Sequence, residues 1–355
     1  MRRRPQATTP TRPRGADPVE TSAVHPLLRA AADRRLGVFT AIDARRAGYD
    51  HAEIRRLCTS GRWTRLRRGI YIAADDLARA ADPAARHRLE CLAVLLHLGR
   101  PRAALSHGTA ARIRDIPVPR ALGPTIRLTD PDRWRRGDDF LMSRAPLRPG
   151  EVVTRGPLRL TSVARTLVDC AREWPLEDAV IAMDAALLGE LVSVEELVQA
   201  AEAATTWPGA RSAARAVALA DGRAESVLET RGRLRILGAG LPAPQLQVEI
   251  WADGRMVAVV DAWFEDSAVA VEFDGRIKNT DPWRGRTPER VLWEEKRRED
   301  ALRALDVRVV RVADDDLGSR CAAVEQRLGQ LVTSPGPATR RFTTRPRVRG
   351  VRRSG

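Results

Sequence analysis

Apolar residues recur at helical spacing through HPLLRAAADRRLG, from His25 to Gly37, and the run stops at the glycine. Thr40 then opens a second run, AIDARRAG, with Asp43 three residues on. Asp50 opens a third, with Glu53 three residues on. The second pair fits a capping box, and the first is a looser version with Asp in place of Glu. Gly48-Tyr49 supplies the tight turn between them. WTRLRRGIYIA alternates like two short strands around Arg68-Gly69. Three helices and a β-wing over residues 24–76 predict a winged helix-turn-helix. In helix-turn-helix proteins the recognition helix enters the major groove, while contacts to phosphates fix its register. The third helix offers His51, Arg55, Arg56 and, just past its end, Arg62. The wing offers Arg65, Arg67 and Arg68. DNA is the expected partner; the alternative is a protein-interaction module whose arginines merely face water.

Residues 80–220 read as mostly helical, with strand-like pieces around Thr125–Leu128 and Glu151–Leu160. LTSVARTLVDCARE and LEDAVIAMDAALLG are amphipathic. His107, in LSHGTAARI, reads as a structural histidine, and no chemistry follows from this stretch. From residue 222 to 333 the pattern sharpens. A helix over Glu225–Leu237 precedes three strands, LQVEIW, MVAVVDAW and AVAVEFD, joined at the turn sequences DGR and FEDS. A charge-rich helix from about Pro288 to Leu305, the short strand VRVVRV and the helix CAAVEQRLGQLV follow. The order is αβββαβα, which makes the whole chain an α+β multidomain protein with a helical-rich middle.

Composition adds three points. The net charge is +15, but residues 1–22 contribute +3 and residues 334–355 contribute +7. Both segments are rich in Pro, Thr, Ser and Arg and read as disordered basic tails, suited to salt-sensitive contact with nucleic acid or simply to solubility. The four cysteines are far apart, which argues against a zinc ribbon or disulfide framework and for a reducing cytoplasm. No signal peptide and no membrane-length apolar run is readable. Finally, the chain has 59 arginines and only two lysines, Lys278 and Lys296. Chemistry that needs a compact, shiftable point charge does not readily accept arginine, so the surviving lysines direct attention to their surroundings.

Those surroundings are acidic. Glu272 and Asp274 alternate onto one strand face. If the FEDS turn pairs Trp263 with Ala268, Asp261 shares that face, and three carboxylates converge. Their repulsion calls for a cation, and hard oxygen ligands suit Mg²⁺ or Mn²⁺. Glu229, on the preceding helix, can add a fourth carboxylate. Lys278, just past the strand, is placed to hold an attacking water or offset charge on phosphorus. This set suits phosphodiester hydrolysis. Acids at strand ends are also common without function, and Asp274-Gly275 alone can be a turn. Lys296 is adequately explained by ion pairs to Asp300 or Glu299.

SVLET, VVDAW, VEFDGRIK and LWEEKRREDALRALDVRVVRV resemble PD-(D/E)XK nuclease-like domains related to very-short-patch repair endonucleases. GVFTAIDARRAGYDHAEIRRL and RRGIYIA resemble the winged helix of AbiEi-type antitoxins, and the combination resembles an actinobacterial subgroup over roughly residues 25–320. The nuclease resemblance implies Asp261 as the metal-binding aspartate, Glu272 as the acid of the (D/E)XK strand and Glu229 as the supporting helix glutamate. It departs at Asp274, where the motif has lysine; Lys278 is the candidate substitute. The antitoxin resemblance implies a promoter-binding repressor paired with a toxin encoded by a neighbouring gene. Two expectations follow: a Mg²⁺-dependent endonuclease delivered to DNA, or an antitoxin-like transcriptional regulator with an inactive nuclease fold. Proteins of both kinds act as dimers, so a homodimer is compatible with either, though no dimer seam is readable.

Overall fold

A computed structural model describes residues 24–274, 288–318 and 321–347; for 288–292 and 295 the description stops at the backbone. Contacts divide the chain into two units. The first comprises residues up to 101 together with Thr154–Leu158, and the second comprises 102–153 and 159 onward.

The first unit opens with α1 (Pro26–Asp33), β1 (Val38–Thr40), α2 (Ala41–Arg46) and α3 (His51–Thr59). It continues with β2 (Trp63–Arg67), β3 (Ile70–Ala73), α4 (Ala74–Arg79) and α5 (Pro83–Leu98). Both capping signals are realised as reciprocal hydrogen bonds. The Asp43 amide donates to Thr40 Oγ1 and the Thr40 amide to Asp43. The Glu53 amide donates to Asp50 and the Asp50 amide to Glu53. Each box satisfies two amides that a helix start otherwise leaves open. The three strands form one antiparallel sheet in the order β1-β3-β2. Its core is aromatic, with Trp63 edge-on to Phe39 at 4.7 Å and tilted against Tyr49 at 5.0 Å. The unit runs past the boundary expected at residue 76, because α5 packs on this small sheet and buries Leu89, Leu92 and Val94.

The stretch expected to be mostly helical holds more helix than strand, and beside the strand-like pieces expected around 125–128 and 151–160 it carries further short strands. Its elements are β4 (Ala104–Leu105), α6 (His107–Ile113), β5 (Ile126–Asp130), β6 (Arg135–Arg136), β7 (Phe140–Arg144), β8 (Val152–Arg155) and β9 (Leu158–Thr161). The strands form a six-stranded sheet in the order β6-β7-β5-β4-β9-β8. β4 and β6 are too short to show a period of two, and the strands pair across long sequence separations; hence the sequence pattern hid the sheet as a whole. Helices α7 (Val163–Ala171), α8 (Leu176–Leu188), α9 (Val194–Ala203) and α10 (Ala210–Leu219) follow and share one apolar cluster. His107 is buried, with Nδ1 2.8 Å from Ser106 Oγ and Nε2 3.4 Å from Glu173.

The remaining elements are α11 (Val227–Gly238), β10 (Gln245–Ala252), β11 (Arg255–Phe264), β12 (Val269–Asp274), α12 (Pro288–Ala304), β13 (Arg308–Ala313), a 3-10 turn (Asp314–Leu317), α13 (Cys321–Thr333) and β14 (Thr343–Pro346). The sheet order is β13-β12-β11-β10-β14, antiparallel except for the parallel pair β12–β13. One face buries Val271 and Phe273 with residues of α11 and α13; the other buries Trp263 and Ala270 with Leu302 of α12. Two expectations change here. The segment from 334, read as a disordered tail, supplies the edge strand β14. The domain boundary expected near 220 is bridged by a buried pair, Arg233 Nη2 to Asp184 Oδ2 at 2.8 Å, joining α11 to α8. Among the described residues no helix is long and apolar enough to cross a membrane.

Candidate functional site

Two sets of side chains stand out, one in each unit. In the first unit, α3 buries Ile54 and turns Arg55 and Arg56 to solvent with His51. Arg62, Arg65 and Arg68 are exposed on and beside the hairpin, and Arg67 is half-buried. The hairpin register shifts between Arg65 and Arg67, so Leu66 is an extra residue that bends the strand. Gly69 turns the chain at φ +77°, a conformation that favours glycine. Arg55, Arg65 and Arg68 make no ion pair among the described residues, while Arg56 lies 3.9 Å from Glu53. Exposed Arg45 and Arg46 in the last turn of α2 add to the basic surface. Sequence reasoning passed over these two, although the helical period that places Ala44 inside also places them outside.

The second unit holds the acidic set. The register of β11 on β12 is Trp263↔Ala270 and Ala262↔Val271, two residues away from the pairing expected from the FEDS turn. Ala268 adopts φ +50° and its amide donates to the Glu265 carbonyl, so the turn takes in more residues. A slip of two preserves the side-chain alternation. Asp261 therefore still faces Glu272, one step beyond the last pair. Asp261 Oδ2 accepts the Phe273 amide at 2.8 Å, filling a ladder position with a side chain. Glu229 reaches the site from the first turn of α11. Its carboxylate accepts Ser226 Oγ, the Glu225 amide and Gln247 Nε2. Gly232 makes this approach feasible, since a Cβ there would stand 1.9 Å from the Phe273 ring.

Gln247 and three arginines complete the site, and sequence reasoning missed all four. Gln247 is buried at φ +52°, a left-handed conformation inside a strand. Its Nε2 donates to Glu229 at 3.0 Å and Asp261 at 3.3 Å, so one amide group serves two carboxylates. Its Oε1 accepts Arg347, just past β14, at 2.9 Å. Arg298 of α12 and Arg311 of β13 flank Glu272 at 3.0 and 3.5 Å. The Arg298 contact lacks hydrogen-bond alignment, and Glu272 Oε1 is buried without an aligned donor. Positive φ at a non-glycine strand residue was a signal only the backbone could provide.

Burial pushes the Glu272 carboxyl above its usual range; Arg298 and Arg311 pull it back, and Asp261 and Asp274 push it up again. Burial likewise raises Glu229; the hydrogen bond from the Glu225 amide opposes the rise and Asp261 adds to it. The acids are thus coupled, but among the described residues no three His, Cys, Asp or Glu are grouped as a metal cage. Asp274 is half-buried at the strand end, paired in register with Ala313. Lys278 lies outside the described residues. Lys296 is exposed and pairs with neither Asp300 nor Glu299; Arg303 contacts both acids and Arg311 contacts Glu299.

Residues 26–74 match the family model described as "Transcriptional regulator, AbiEi antitoxin". That span contains α1 through β3, and so carries every arginine of the first set. Two Mycobacterium tuberculosis proteins, Uncharacterized protein Rv2248 (strain H37Rv) and Uncharacterized protein MT2308 (strain CDC 1551), are each 32% identical to this chain over 168 residues. The match covers 47% of this chain and 60% of each relative, so the chain spans about three fifths of the length of the curated relatives it matches. Among solved structures, the crystal structure of the RV2827C protein from Mycobacterium tuberculosis aligns with TM-score 0.39 and 17% identity, over 54% of this chain and 74% of that one.

Proposed function

We propose that the first unit is a winged helix-turn-helix that binds duplex DNA, and that the protein acts as an antitoxin-like transcriptional regulator. The observation that carries this reading is the exposure of Arg55 and Arg56 on α3, beside the hairpin arginines, within the segment that matches an AbiEi antitoxin model. Arg55 and Arg56 reach base edges; Arg62, Arg65, Arg67 and Arg68 reach phosphates and fix the register. The partners are the operator DNA, a toxin encoded next door and, at a two-fold operator, a second copy of the chain. A shift assay on the upstream DNA of its own gene tests this. Replacing Arg55 and Arg56 by alanine should abolish sequence preference, while Arg65→Ala and Arg68→Ala weaken binding to all sequences alike. Unchanged binding by the double variant would overturn the role of α3.

The acidic centre favours a second reading, a PD-(D/E)XK-type endonuclease domain using Mg²⁺ or Mn²⁺ and acting in the cytoplasm. A buried Glu272 Oε1 without an aligned donor, facing Asp261, fits a hard cation, and Mg²⁺ commonly takes only one or two carboxylates and keeps several waters. Asp261 and Glu272 would hold the ion, with Asp274 at the strand end. Such an ion would polarise a phosphate and lower the pKa of a bound water. The chain's own residues do the rest. Gln247 and the Phe273 amide hold Asp261 in place, Gln247 also ties Glu229 beside it, Arg298 and Arg311 hold Glu272, and Lys278, outside the described residues, is the expected point charge in place of the motif's lysine at Asp274. Cleavage of supercoiled and single-stranded DNA with Mg²⁺, Mn²⁺ or EDTA, beside Asp261→Ala, decides it. Metal-dependent nicking that the variant lacks supports the nuclease; binding without cleavage leaves the regulator alone.

A further inference from the structure

We propose that the outer face of α12, through Trp293, Lys296 and Arg297, is a binding surface for single-stranded nucleic acid that stacks an unpaired base on the indole. On an α-helix, positions three and four apart share a face. Leu302, fully buried, fixes which face of α12 meets the sheet. Trp293, Lys296 and Arg297 fall on the opposite face by helical rotation. Trp293 is 59% exposed, which leaves a large apolar ring in water. The Arg297 guanidinium lies over that ring, 4.7 Å from its centre. Lys296 and Arg297 make no ion pair among the described residues. By the same spacing Glu289 and Asp300 share this stripe, and Asp300 is 3.8 Å from Arg303.

An indole flanked by a stacked guanidinium and a free ammonium matches what an unpaired nucleotide presents: a π-face and an anionic linkage. Bases inside a duplex are already stacked on each other and gain nothing from the ring. The adjacent cations Lys296 and Arg297 supply the local positive charge that an anionic linkage requires. The stripe also gives one of the two lysines a role that the acidic centre does not, since Arg298, on the inward side of the same helix, already serves Glu272. This surface is separate from the arginines of α3 and from the acidic centre, and its test depends on neither reading.

The test is fluorescence anisotropy of an end-labelled oligo-dT of about 15 nucleotides, a span typical of such contacts, and of a duplex of the same length, with the full chain. Trp293→Ala should weaken oligo-dT binding about 5- to 150-fold, the range for one base–aromatic stack, with duplex binding unchanged. Trp293→Phe should retain most of the affinity. Lys296→Gln with Arg297→Gln should weaken oligo-dT binding and flatten its salt dependence. Arg55→Ala with Arg56→Ala should do the reverse, weakening the duplex and sparing oligo-dT; failure of that arm alone would count against the regulator reading and leave this surface standing. Oligo-dT binding by Trp293→Ala at wild-type strength overturns the proposal. So does equal weakening of both probes, or a changed sedimentation profile with oligo-dT binding intact, which would mark a protein contact. If Trp293→Ala does not fold, Trp293→Phe against the Lys296/Arg297 variant decides by the same probes.

Discussion

Two sets of arginines, one in each unit, are used in opposite ways. In the first, Arg55, Arg65 and Arg68 stand in solvent with no carboxylate held to them among the described residues. In the second, Arg233, Arg298, Arg311 and Arg347 are each bound to an acid or to the amide that holds one. A free guanidinium costs the fold little and remains available to a phosphate. A committed one compensates a buried charge and is no longer available. The same residue type therefore stands open to solvent in one set and serves as an internal brace in the other, and alanine substitution should separate the two roles.

The largest effect is expected at the most buried brace. Arg233→Ala strips Asp184 of its partner inside the second unit, where Thr230 and the Asp221 amide also depend on that carboxylate. Removing one member of a buried pair costs about 3–5 kcal/mol. Denaturant unfolding followed by a probe in the second unit should show it, with duplex binding by the first unit intact wherever the protein remains folded. A loss below about 0.5 kcal/mol, the range for unremarkable surface positions, would mean that the pair is not a brace.

Next comes Gly232→Ala. The added Cβ meets the Phe273 ring at 1.9 Å, so α11 must lift from β12 and carry Glu229 with it. Overpacking of this kind costs about 1–3 kcal/mol. If the acidic centre depends on that close approach, any cation-dependent stabilisation of the wild-type chain should shrink with it. Comparable in size is the loss of duplex affinity on Arg55→Ala, about 1–3 kcal/mol for a base-edge contact, but with stability unchanged. That dissociation of binding from folding is the signature of a free arginine, and thermal melts beside shift assays read both at once.

Local signals were legible in the sequence and distant ones were not. The capping boxes at Thr40 and Asp50 depend on residues three apart, so their hydrogen bonds could be read directly. The shared face of Asp261 and Glu272 survived a wrong register because a slip of two keeps the alternation. The sheet of the middle region was legible only at the pieces around 125–128 and 151–160, because strands such as Ala104–Leu105 and Arg135–Arg136 are only two residues long. β14 escaped because a Pro- and Arg-rich stretch reads as tail until a partner strand claims it; there it pairs Val248 with Pro346. Gln247, Arg298, Arg311 and Arg347 assemble around the acids from four separate segments, and no spacing rule connects them.

The smallest effects are in pH, and there the two units should differ in sign. In the first, burial would raise the Asp43 carboxyl, but its bonds to Thr40 and the Arg35 guanidinium outweigh burial and hold it below the usual carboxylate value. A lowered carboxyl contributes stability that is present above its unfolded pKa and is lost as pH falls through the folded one. In the second, Glu229 is raised, chiefly by burial. A raised carboxyl has the opposite linkage: its stability is fully present below the unfolded pKa, about 4.3, and is lost as pH rises through the folded value. Asp43→Asn should therefore lower the thermal midpoint at pH 7, with the penalty fading in acid. Glu229→Gln should raise the midpoint at pH 7, with the gain vanishing near pH 4. Melting curves of both variants across that range, by probes local to each unit, read the two signs side by side. A Glu229→Gln penalty at neutral pH would mean that the carboxylate's bonds to Ser226, the Glu225 amide and Gln247 outweigh its burial, and the contrast between an open basic unit and a strained acidic one would fail at its acidic end.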